Sequence, residues 1–359
     1  MTLIKVKSRG TDNVSGRRNL LINGSMRVAQ RATQVTGITS GGYKTCDRWY
    51  VQEGADATIT SNQSTTVPRN EGFQNSLHLD VTTADASLGS TQYASYVQFI
   101  EGKNLQHLKW GTSSAEPLTL SFWVYTNKTG TYSICLARAD ATNNYQSQTY
   151  TVSAANTWEK KSITFIGDTS TVNTDDNTAG LAVEFGLASG TGYTSGGATG
   201  QAWSNDVTKY FGGLAVNILD NTANNFYLTG VQLEVGNSAS DFEHLSFAEE
   251  LLNCERYCQF ITGTNIYTRY CMGIAWETST CDGAMVMRTV MRAAPTITLS
   301  GNFDCLGSPQ VTGTTAAAVH INTDNFSFRQ TKSSAFNANT AYLMRGFNNA
   351  TSFKMEAEL

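Results

Sequence analysis

The sequence is poor in charged residues, in proline and in long hydrophobic segments. Of the 359 residues, 15% are charged and four are proline. The 25 basic and 29 acidic residues show no basic cluster beyond Arg17-Arg18, which argues against nucleic acid as the main partner. The apolar runs are far shorter than the roughly 20 residues that span a bilayer, so membrane insertion is not expected. Residues 1–5 lack the apolar core of a secretory signal, which predicts synthesis in a cytoplasm.

Motifs for catalysis or metal binding are also scarce. The seven cysteines lie mostly in apolar patterns without a Cys-x-x-Cys pair, so we interpret them as reduced, buried residues rather than zinc ligands. A glycosidase needs two carboxylates across a cleft, and no spacing links any two of Glu184, Asp206 and Glu234. No Ser/His/Asp arrangement is visible among the four scattered histidines, His78, His107, His244 and His320. We therefore do not expect an enzyme.

The sequence does contain many short segments in which apolar and polar residues alternate. The clearest covers residues 118–126 and is followed by the turn Asn127-Lys128-Thr129-Gly130. Further alternating segments are residues 76–81, 93–100, 131–137, 157–165, 181–187, 213–219 and 226–235. Many short strands without a long helical period between them indicate an antiparallel β-sandwich, and the chain is mainly all-β.

One helix is predicted where this first group of strands ends. Ser246 is followed three residues later by Glu249, the pattern of a capping box. Across residues 247–260 a helical spacing brings four side chains onto one stripe: Phe247, Leu251, Cys254 and Cys258. Such a stripe needs a partner surface, which is either another subunit or the core of the same chain.

Several blocks of the sequence resemble known proteins. Residues 19–24, 120–124 and 231–234 resemble jelly-roll carbohydrate-binding modules. Other blocks resemble tail-fibre and related virion proteins of tailed bacteriophages, namely residues 16–31, 100–105, 232–236, 242–244, 249–251, 254–257 and 291–296. The resemblance implies a homotrimer, because fibres of this kind are three-fold, located in the virion after synthesis in the host cytoplasm.

The resemblance and the strand pattern together divide the chain into four parts. Residues 1–18 are expected to form an extended arm that docks on other virion proteins, and residues 19–242 a jelly-roll domain. Residues 243–262 form a crossover helix and residues 263–359 a smaller C-terminal β domain. The chain lacks the heptads of a long fibre shaft. We expect a short tail fibre or knob that attaches to the host cell surface without catalysis; the alternatives are a head or tail decoration or adaptor protein, and a glycan-degrading tailspike.

The expected role in host attachment suggests candidate site residues. Tyr145, Tyr193 and Trp203 lie in polar, Gly-rich surroundings suited to stacking on sugars of a host glycan, which is the expected receptor; a protein receptor is the alternative. Arg17 and Arg18 are candidates for virion docking, since they can pair with acidic groups of a partner. Asp175 and Asp176 are candidate ligands of a structural calcium ion, the one cofactor considered. The stripe at residues 247–258 is the candidate oligomer interface, and residues 188–201 are predicted to be a surface loop.

Overall fold

The computed structural model describes residues 18–139, 144–263, 265–347 and 351–359. Two short α-helices are present in these ranges, α1 (Thr191–Thr194) and α2 (Phe247–Glu255). The first twelve strands are β1 Gln34–Ile38, β2 Gly42–Tyr43, β3 Tyr50–Glu53, β4 Thr58–Ser64, β5 Ser76–Thr83, β6 Tyr93–Glu101, β7 Leu118–Thr126, β8 Gly130–Arg138, β9 Tyr145–Val152, β10 Glu159–Phe165, β11 Ala179–Ser189 and β12 Asn225–Val235. The next nine are β13 Cys258–Thr262, β14 Arg269–Ala275, β15 Thr280–Val286, β16 Thr296–Ser300, β17 Phe303–Leu306, β18 Thr315–Val319, β19 Asn325–Thr331, β20 Thr340–Gly346 and β21 Ser352–Glu356. Short 3₁₀ turns occupy Gly102–Asn104, Gln106–Leu108, Val207–Lys209 and Ile218–Asp220.

The strands form four antiparallel sheets. Sheet A has the order β1-β4-β5-β12-β7-β10 and sheet B the order β2-β3-β6-β11-β8-β9; they share one hydrophobic core. Sheet C (β13-β21-β16) and sheet D (β17-β20-β14-β15-β19-β18) surround a second core. The expected mainly all-β fold, with a jelly-roll sandwich and a further β region, is confirmed. In the described part of the chain, no helix combines the length and the apolar character required to cross a membrane.

Strand β7 shows how the alternation places side chains. Leu118, Leu120, Phe122 and Val124 are completely buried between sheets A and B, whereas Trp123 and Tyr125 point to the opposite face. Burying each such leucine or phenylalanine contributes roughly 1.5–3 kcal/mol. The alternation therefore fixes both the core and the residues that the sandwich presents on its outside.

Two segments of the expected jelly-roll domain, residues 19–26 and 213–219, are not strands. Residues 19–26, an apolar run at the start of that domain, form turns held by side-chain amides: Asn19 Nδ2 donates to the Val231 carbonyl oxygen at 3.0 Å. The first strand begins instead at Gln34, in a stretch without an apolar period. Residues 213–219 likewise contain no strand: they are irregular up to residue 217, Ile218 begins a 3₁₀ turn, and Ile218 and Leu219 pack in the core shared by sheets A and B.

The predicted helix begins as expected and ends earlier. The Glu249 amide donates to Ser246 Oγ (3.3 Å), and the Ser246 amide donates to Glu249 Oε2 (3.0 Å), which confirms the capping box. Helix α2 ends at Glu255, and Cys258 belongs to β13 in sheet C. Residues 243–262 are thus a helix followed by a strand, since the chain turns back into a sheet after Tyr257.

The predicted oligomer stripe lies mostly inside the chain. Cys254 and Cys258 are fully buried, and Leu251 packs against the small cluster that contains Cys254. The interface prediction is wrong for the two cysteines, because the chain's own residues cover them; Phe247 is the exposed member, at 49%. All seven cysteines are free and six of them are buried, which confirms their interpretation as reduced core residues.

Residues 356–359 are tied to the sandwich by buried ion pairs. The fully buried guanidinium group of Arg48 pairs with Glu358 and donates to the Phe99 carbonyl oxygen at 2.6 Å. Glu358 Oε1 also accepts a hydrogen bond from Arg31 Nη2 at 2.9 Å. Two guanidinium groups therefore share one carboxylate, and this network joins the end of sheet C to the sandwich.

Candidate functional site

The outer face of sheet B is covered by the chain itself. Tyr145 is 9% exposed, and its ring meets Tyr210 edge-on at 4.6 Å. Tyr193, in helix α1, packs edge-on against Tyr93 at 5.1 Å. The segment of residues 190–214 thus packs on sheet B. Residues 191–202 remain exposed or half-buried, so the predicted surface loop at residues 188–201 is confirmed except for Ala188 and Ser189, which belong to β11, and for the short helix α1. Tyr145 has no ring face left for a sugar, which contradicts its selection as a binding residue.

Trp203 is also engaged by the chain's own residues. Its indole Nε1 donates to the Ile166 carbonyl oxygen at 3.1 Å, and its ring packs edge-on against Trp110 at 5.4 Å. The structure brings Tyr145 and Tyr193 into one aromatic cluster around Tyr210, and it places Trp203 against Trp110 instead. All three aromatic residues therefore pack against other residues of the same chain.

The outer face of sheet A carries a row of ring side chains. In the strand register His78 of β5 is opposite Tyr227 of β12, and Tyr227 is opposite Tyr125 of β7. Trp158 lies next to Tyr125, directly before β10. We call His78, Tyr227, Tyr125 and Trp158 the aromatic row. It crosses four neighbouring strands at right angles and therefore measures about 15 Å at the usual strand spacing.

Consecutive rings of the aromatic row are in contact. His78 and Tyr227 stack with a centroid distance of 3.9 Å and an interplanar angle of 3°, and Tyr227 meets Tyr125 edge-on at 5.2 Å. Tyr125 and Trp158 are 5.5 Å apart at 44°. All four side chains are half-buried, so each keeps part of its surface accessible while its neighbours hold it in place. Rings held in this way lose little conformational entropy when a ligand binds.

A cleft adjoins the aromatic row on the same face. It has a volume of about 190 Å³ and is lined by Glu71, Phe73, Ser121, Trp123, Lys160, Gly230, Asp241, Phe242 and His244. Gly230 has a φ of +60°, and a Cβ at this position would lie 2.6 Å from the Phe73 ring and 3.0 Å from Trp123 Cδ1. Glycine is therefore required where the strand passes beneath the two aromatic rings. We call this site the Trp123 cleft.

Sheet A thus combines aromatic faces with hydrogen-bonding groups. The exposed Lys160 is opposite Trp123 in the register, and the cleft adds the side chains of Glu71 and Asp241. Flat apolar rings beside a few fixed polar groups suit a ligand that has both apolar faces and many hydroxyl groups. Sheet A therefore offers both kinds of contact on one face.

His78 is held neutral in the aromatic row. Burial lowers the pKa of its imidazole from 6.5 to about 4, and Asn62 Nδ2 lies 3.2 Å from its Nδ1. A neutral ring can accept the hydrogen bond from Asn62 and still stack on Tyr227. The row consequently has no titrating cation near neutral pH.

His78 gives the protein a specific dependence of stability on pH. Because the folded-state pKa is below the ordinary value, the unfolded chain takes up the proton first as the pH falls. The stability contributed by neutral His78 is therefore complete above pH 6.5 and is lost as the pH falls towards 4. Urea unfolding at several pH values is expected to show a larger loss for the wild type than for His78→Gln. Parallel pH profiles of the two proteins, or an NMR titration midpoint for His78 near 6.5, would contradict this.

The candidate calcium ligands are not joined by further acidic groups. Asp176 accepts hydrogen bonds from the Thr178 amide (2.8 Å) and Thr178 Oγ1 (2.7 Å), which lower the pKa of its carboxyl group. Asp175 is exposed. Across the described residues, no group of three or more His, Cys, Asp or Glu side chains is arranged to hold a metal ion. The local geometry is that of a turn stabilised by its own aspartate.

The two candidate docking arginines differ. Arg17 and the rest of the arm, residues 1–17, lie outside the described residues. Arg18 donates through its backbone amide to Glu243 Oε2 (2.9 Å) and through Nη1 to Ser240 Oγ (2.8 Å). The Arg18 side chain is therefore bound to the chain that follows sheet A, which contradicts its selection as a group awaiting an acidic partner.

Comparisons with known proteins add the following. No family model matches the sequence, and no curated protein matches it. The enzymatically active domain of tailspike protein 4 from bacteriophage CBA120 has a TM-score of 0.32 and 16% identity over 61% of this chain, which spans 21% of that chain's length. The carbohydrate-binding module CBM4 has a TM-score of 0.31 and 13% identity, covering 60% of this chain and 98% of the module. TmCBM61, solved with β-1,4-galactotriose, has a TM-score of 0.29 and 11% identity, covering 61% of this chain and 100% of the module.

Proposed function

We propose that the chain is a non-catalytic virion protein of a tailed bacteriophage, a short tail fibre or knob, which binds a glycan of the host surface on the outer face of sheet A. The observation that carries the glycan part is the aromatic row, in register across four strands beside the Trp123 cleft. The resemblance of the sequence blocks between residues 16 and 296 to tail-fibre proteins supports the virion part.

The two outer faces of the sandwich explain why sheet A is the binding face. On sheet B, Tyr93 and Tyr145 pack against Tyr193 and Tyr210 of residues 190–214. On sheet A the rings of the row remain half-buried. A cross-strand aromatic row also stabilises its own sheet. Binding and stability must therefore be measured separately.

An array of bacterial surface polysaccharides, followed by calorimetry with the best ligand, tests the proposal. Tyr227→Ala and Trp158→Ala each remove one ring from the row, and each is expected to weaken binding about 5- to 30-fold, since a buried ring contact contributes roughly 1–2 kcal/mol. The matched control is Phe347→Ala, an aromatic residue that is 43% exposed and lies outside sheet A. Its affinity is expected to equal that of the wild type.

Thermal unfolding of the same variants separates the two roles of the rings. A loss of affinity in a variant whose melting temperature is close to that of the wild type assigns the ring to the ligand. Unchanged affinity in both Tyr227→Ala and Trp158→Ala, or binding lost equally in Phe347→Ala, would place the glycan elsewhere.

The absence of catalysis is supported by where the three candidate carboxylates lie. Glu184 of β11 is buried on the outer face of sheet B, beneath residues 190–214. Tyr210 Oη and Ser95 Oγ donate hydrogen bonds to it, and burial raises the pKa of its carboxyl group. Asp206 caps a 3₁₀ turn, and Glu234 accepts hydrogen bonds from Ser240. Each of the three carboxylates therefore already accepts hydrogen bonds from nearby groups of the chain. A reducing-sugar assay on the polysaccharide that binds is expected to show no release; sustained release would favour the tailspike alternative.

A further inference from the structure

The Trp123 cleft lies to one side of the aromatic row rather than in line with it. Trp123 and Tyr125 are two residues apart on β7, and both point away from the core. Lys160 of β10 is opposite Trp123 and extends the cleft across the next strand. Two residues of a strand advance about 7 Å along it. The row crosses the strands, whereas the step from the row to the cleft runs along them, so a linear sugar chain that follows the row does not enter the cleft.

The chain closes the cleft on the side away from the row. Along β12 the row residue Tyr227 comes first, Gly230 of the cleft next, and Gln232 after it. Gln232 Oε1 accepts a hydrogen bond from the Glu243 amide at 2.8 Å, so residues 241–244 form the wall of the cleft at this end. The cleft is consequently blind there, and a ligand group that enters it from the row must end inside it.

Three aromatic side chains build this end of the cleft. The ring centroids of Phe73 and Phe242 are 5.0 Å apart, those of Phe73 and His244 5.2 Å, and those of Phe242 and His244 4.9 Å. Each ring is thus held in place by the two others. Gly230 contributes no side chain to the floor, which leaves the space between Phe73 and Trp123 open. Walls that are fixed before a ligand arrives require little ordering when it binds.

The volume of the cleft suits one sugar unit. Its volume of about 190 Å³ is below the range of about 300–1,000 Å³ in which drug-sized ligands bind. A chain of several sugars needs a larger site, whereas a single sugar ring is smaller than such ligands. The apolar face of one sugar ring can contact Trp123. Its hydroxyl groups can accept a hydrogen bond from Lys160 and donate to the carboxylates of Glu71 and Asp241.

Charges of both signs line the cleft and offset one another. Lys160 is cationic, whereas Glu71 and Asp241 are anionic. His244 adds no cation near neutral pH, because burial and the neighbouring Arg27 lower the pKa of its imidazole. A carboxylate or an ammonium group on the ligand would meet a like charge as well as an opposite one, so neither gains much from these surroundings. The charges therefore favour a neutral sugar.

From these observations we propose that the Trp123 cleft holds a single neutral sugar that branches from the glycan chain on the aromatic row. The ligand is then a branched polysaccharide, with its main chain across β5, β12, β7 and β10 and a one-sugar branch along the strand direction. This specificity rests on the proposed function, since the row must first hold the main chain. It separates branched from linear polysaccharides, which the row by itself does not distinguish.

Calorimetry with one polysaccharide in two forms tests the proposal. The intact form is the best ligand of the polysaccharide array, and the trimmed form is the same polymer after an exoglycosidase has removed its one-sugar branches. The wild type is expected to bind the intact form about 10- to 30-fold more tightly, from one ring contact and one or two hydrogen bonds. Equal affinity for the two forms, or a best ligand that is linear, overturns the branch site and leaves the proposed function standing. If neither form binds, the proposed function itself fails.

Three variants locate the branch on the protein. Trp123→Ala is expected to lower the affinity for the intact form to that for the trimmed form, and to leave the affinity for the trimmed form unchanged. Tyr227→Ala, in the row, is expected to weaken the binding of both forms by the same factor. The matched control is Trp276→Ala, because Trp276 is 53% exposed and lies outside sheet A. This control is expected to keep both affinities.

Lys160→Ala guards against misfolding of Trp123→Ala, because Lys160 is exposed and its truncation leaves the aromatic walls in place. It is expected to weaken the binding of the intact form alone, about 3- to 10-fold, the contribution of one hydrogen bond. Circular dichroism confirms the fold of each variant before calorimetry. The branch site is overturned if folded Lys160→Ala weakens both forms equally, or if folded Trp123→Ala still prefers the intact form as strongly as the wild type does.

Discussion

Replacing Glu358 with alanine is expected to lower the free energy of unfolding by about 3–5 kcal/mol, the range for breaking a buried ion pair by removing one partner. The Arg48 guanidinium that faces Glu358 is fully buried and lies 3.5 Å from the centre of the Tyr257 ring. Without the carboxylate, that cation stays in the interior, where neutral groups such as the Phe99 carbonyl oxygen and the Tyr257 ring compensate its charge only in part. Urea unfolding at 25 °C, followed by tryptophan fluorescence, measures the loss.

Two further variants test whether burial of the ion pair causes the loss of stability. Glu116→Ala removes the acidic partner of an exposed pair, Lys109–Glu116 at 2.7 Å, and is expected to lower stability by less than about 1 kcal/mol. The double variant Arg48→Met/Glu358→Met removes both buried charges and is expected to recover most of the loss, since apolar pairs often replace buried ion pairs without penalty. A loss below 1 kcal/mol in Glu358→Ala would contradict the network.

Asn23→Ala is expected to lower the free energy of unfolding by a similar amount, roughly 3–5 kcal/mol. The Asn23 side chain is completely buried and donates through Nδ2 to the carbonyl oxygens of Val28 (2.8 Å) and Asp47 (3.0 Å). Its Oδ1 accepts a hydrogen bond from the Val28 amide at 3.0 Å. Alanine leaves these three backbone groups without their partner in the interior, and each unsatisfied group costs about 1–3 kcal/mol.

Backbone strain adds to this loss and is measured separately. Asn23 has a φ of 58°, a left-handed conformation that alanine adopts at a cost of roughly 1–2 kcal/mol. Asn156 has nearly the same φ, 55°, but is exposed. Asn156→Ala is therefore expected to show only the strain, about 1 kcal/mol, and Asn23→Gly is expected to be more stable than Asn23→Ala by a similar amount. Equal losses in Asn23→Ala and Asn156→Ala would mean that the buried hydrogen bonds contribute nothing.

Local patterns in the sequence were sufficient for the fold class. Alternation in residues 118–126 and 226–235 predicted strands that the structure contains, because a strand with one buried face needs an apolar residue at every second position. The capping box at Ser246 and Glu249 likewise needs only residues three apart. For residues 19–26 local patterns were not sufficient. Their conformation is set by side-chain contacts to Val231 and to Asp47, which both lie outside the segment.

The candidate site depended on contacts that the sequence does not display. Alternation in β7 already separated Trp123 and Tyr125 from the core, and alternation in β12 separated Tyr227. What it did not reveal is that β5, β12, β7 and β10 are neighbours, because they come from distant parts of the chain. Only this strand order aligns His78, Tyr227, Tyr125 and Trp158.

The tertiary structure also decided which polar, Gly-rich segments are covered. Residues 190–214 resemble an exposed loop in composition, yet they lie on sheet B and bury Tyr145. The helix stripe shows the same limit, since its spacing called for a partner surface and the fold supplied one within the chain. The sequence by itself determined which residues alternate and where the helix starts, because those depend on near neighbours. Which aromatic faces remain open depends on what the rest of the chain packs against, and that is set by contacts between residues far apart in sequence.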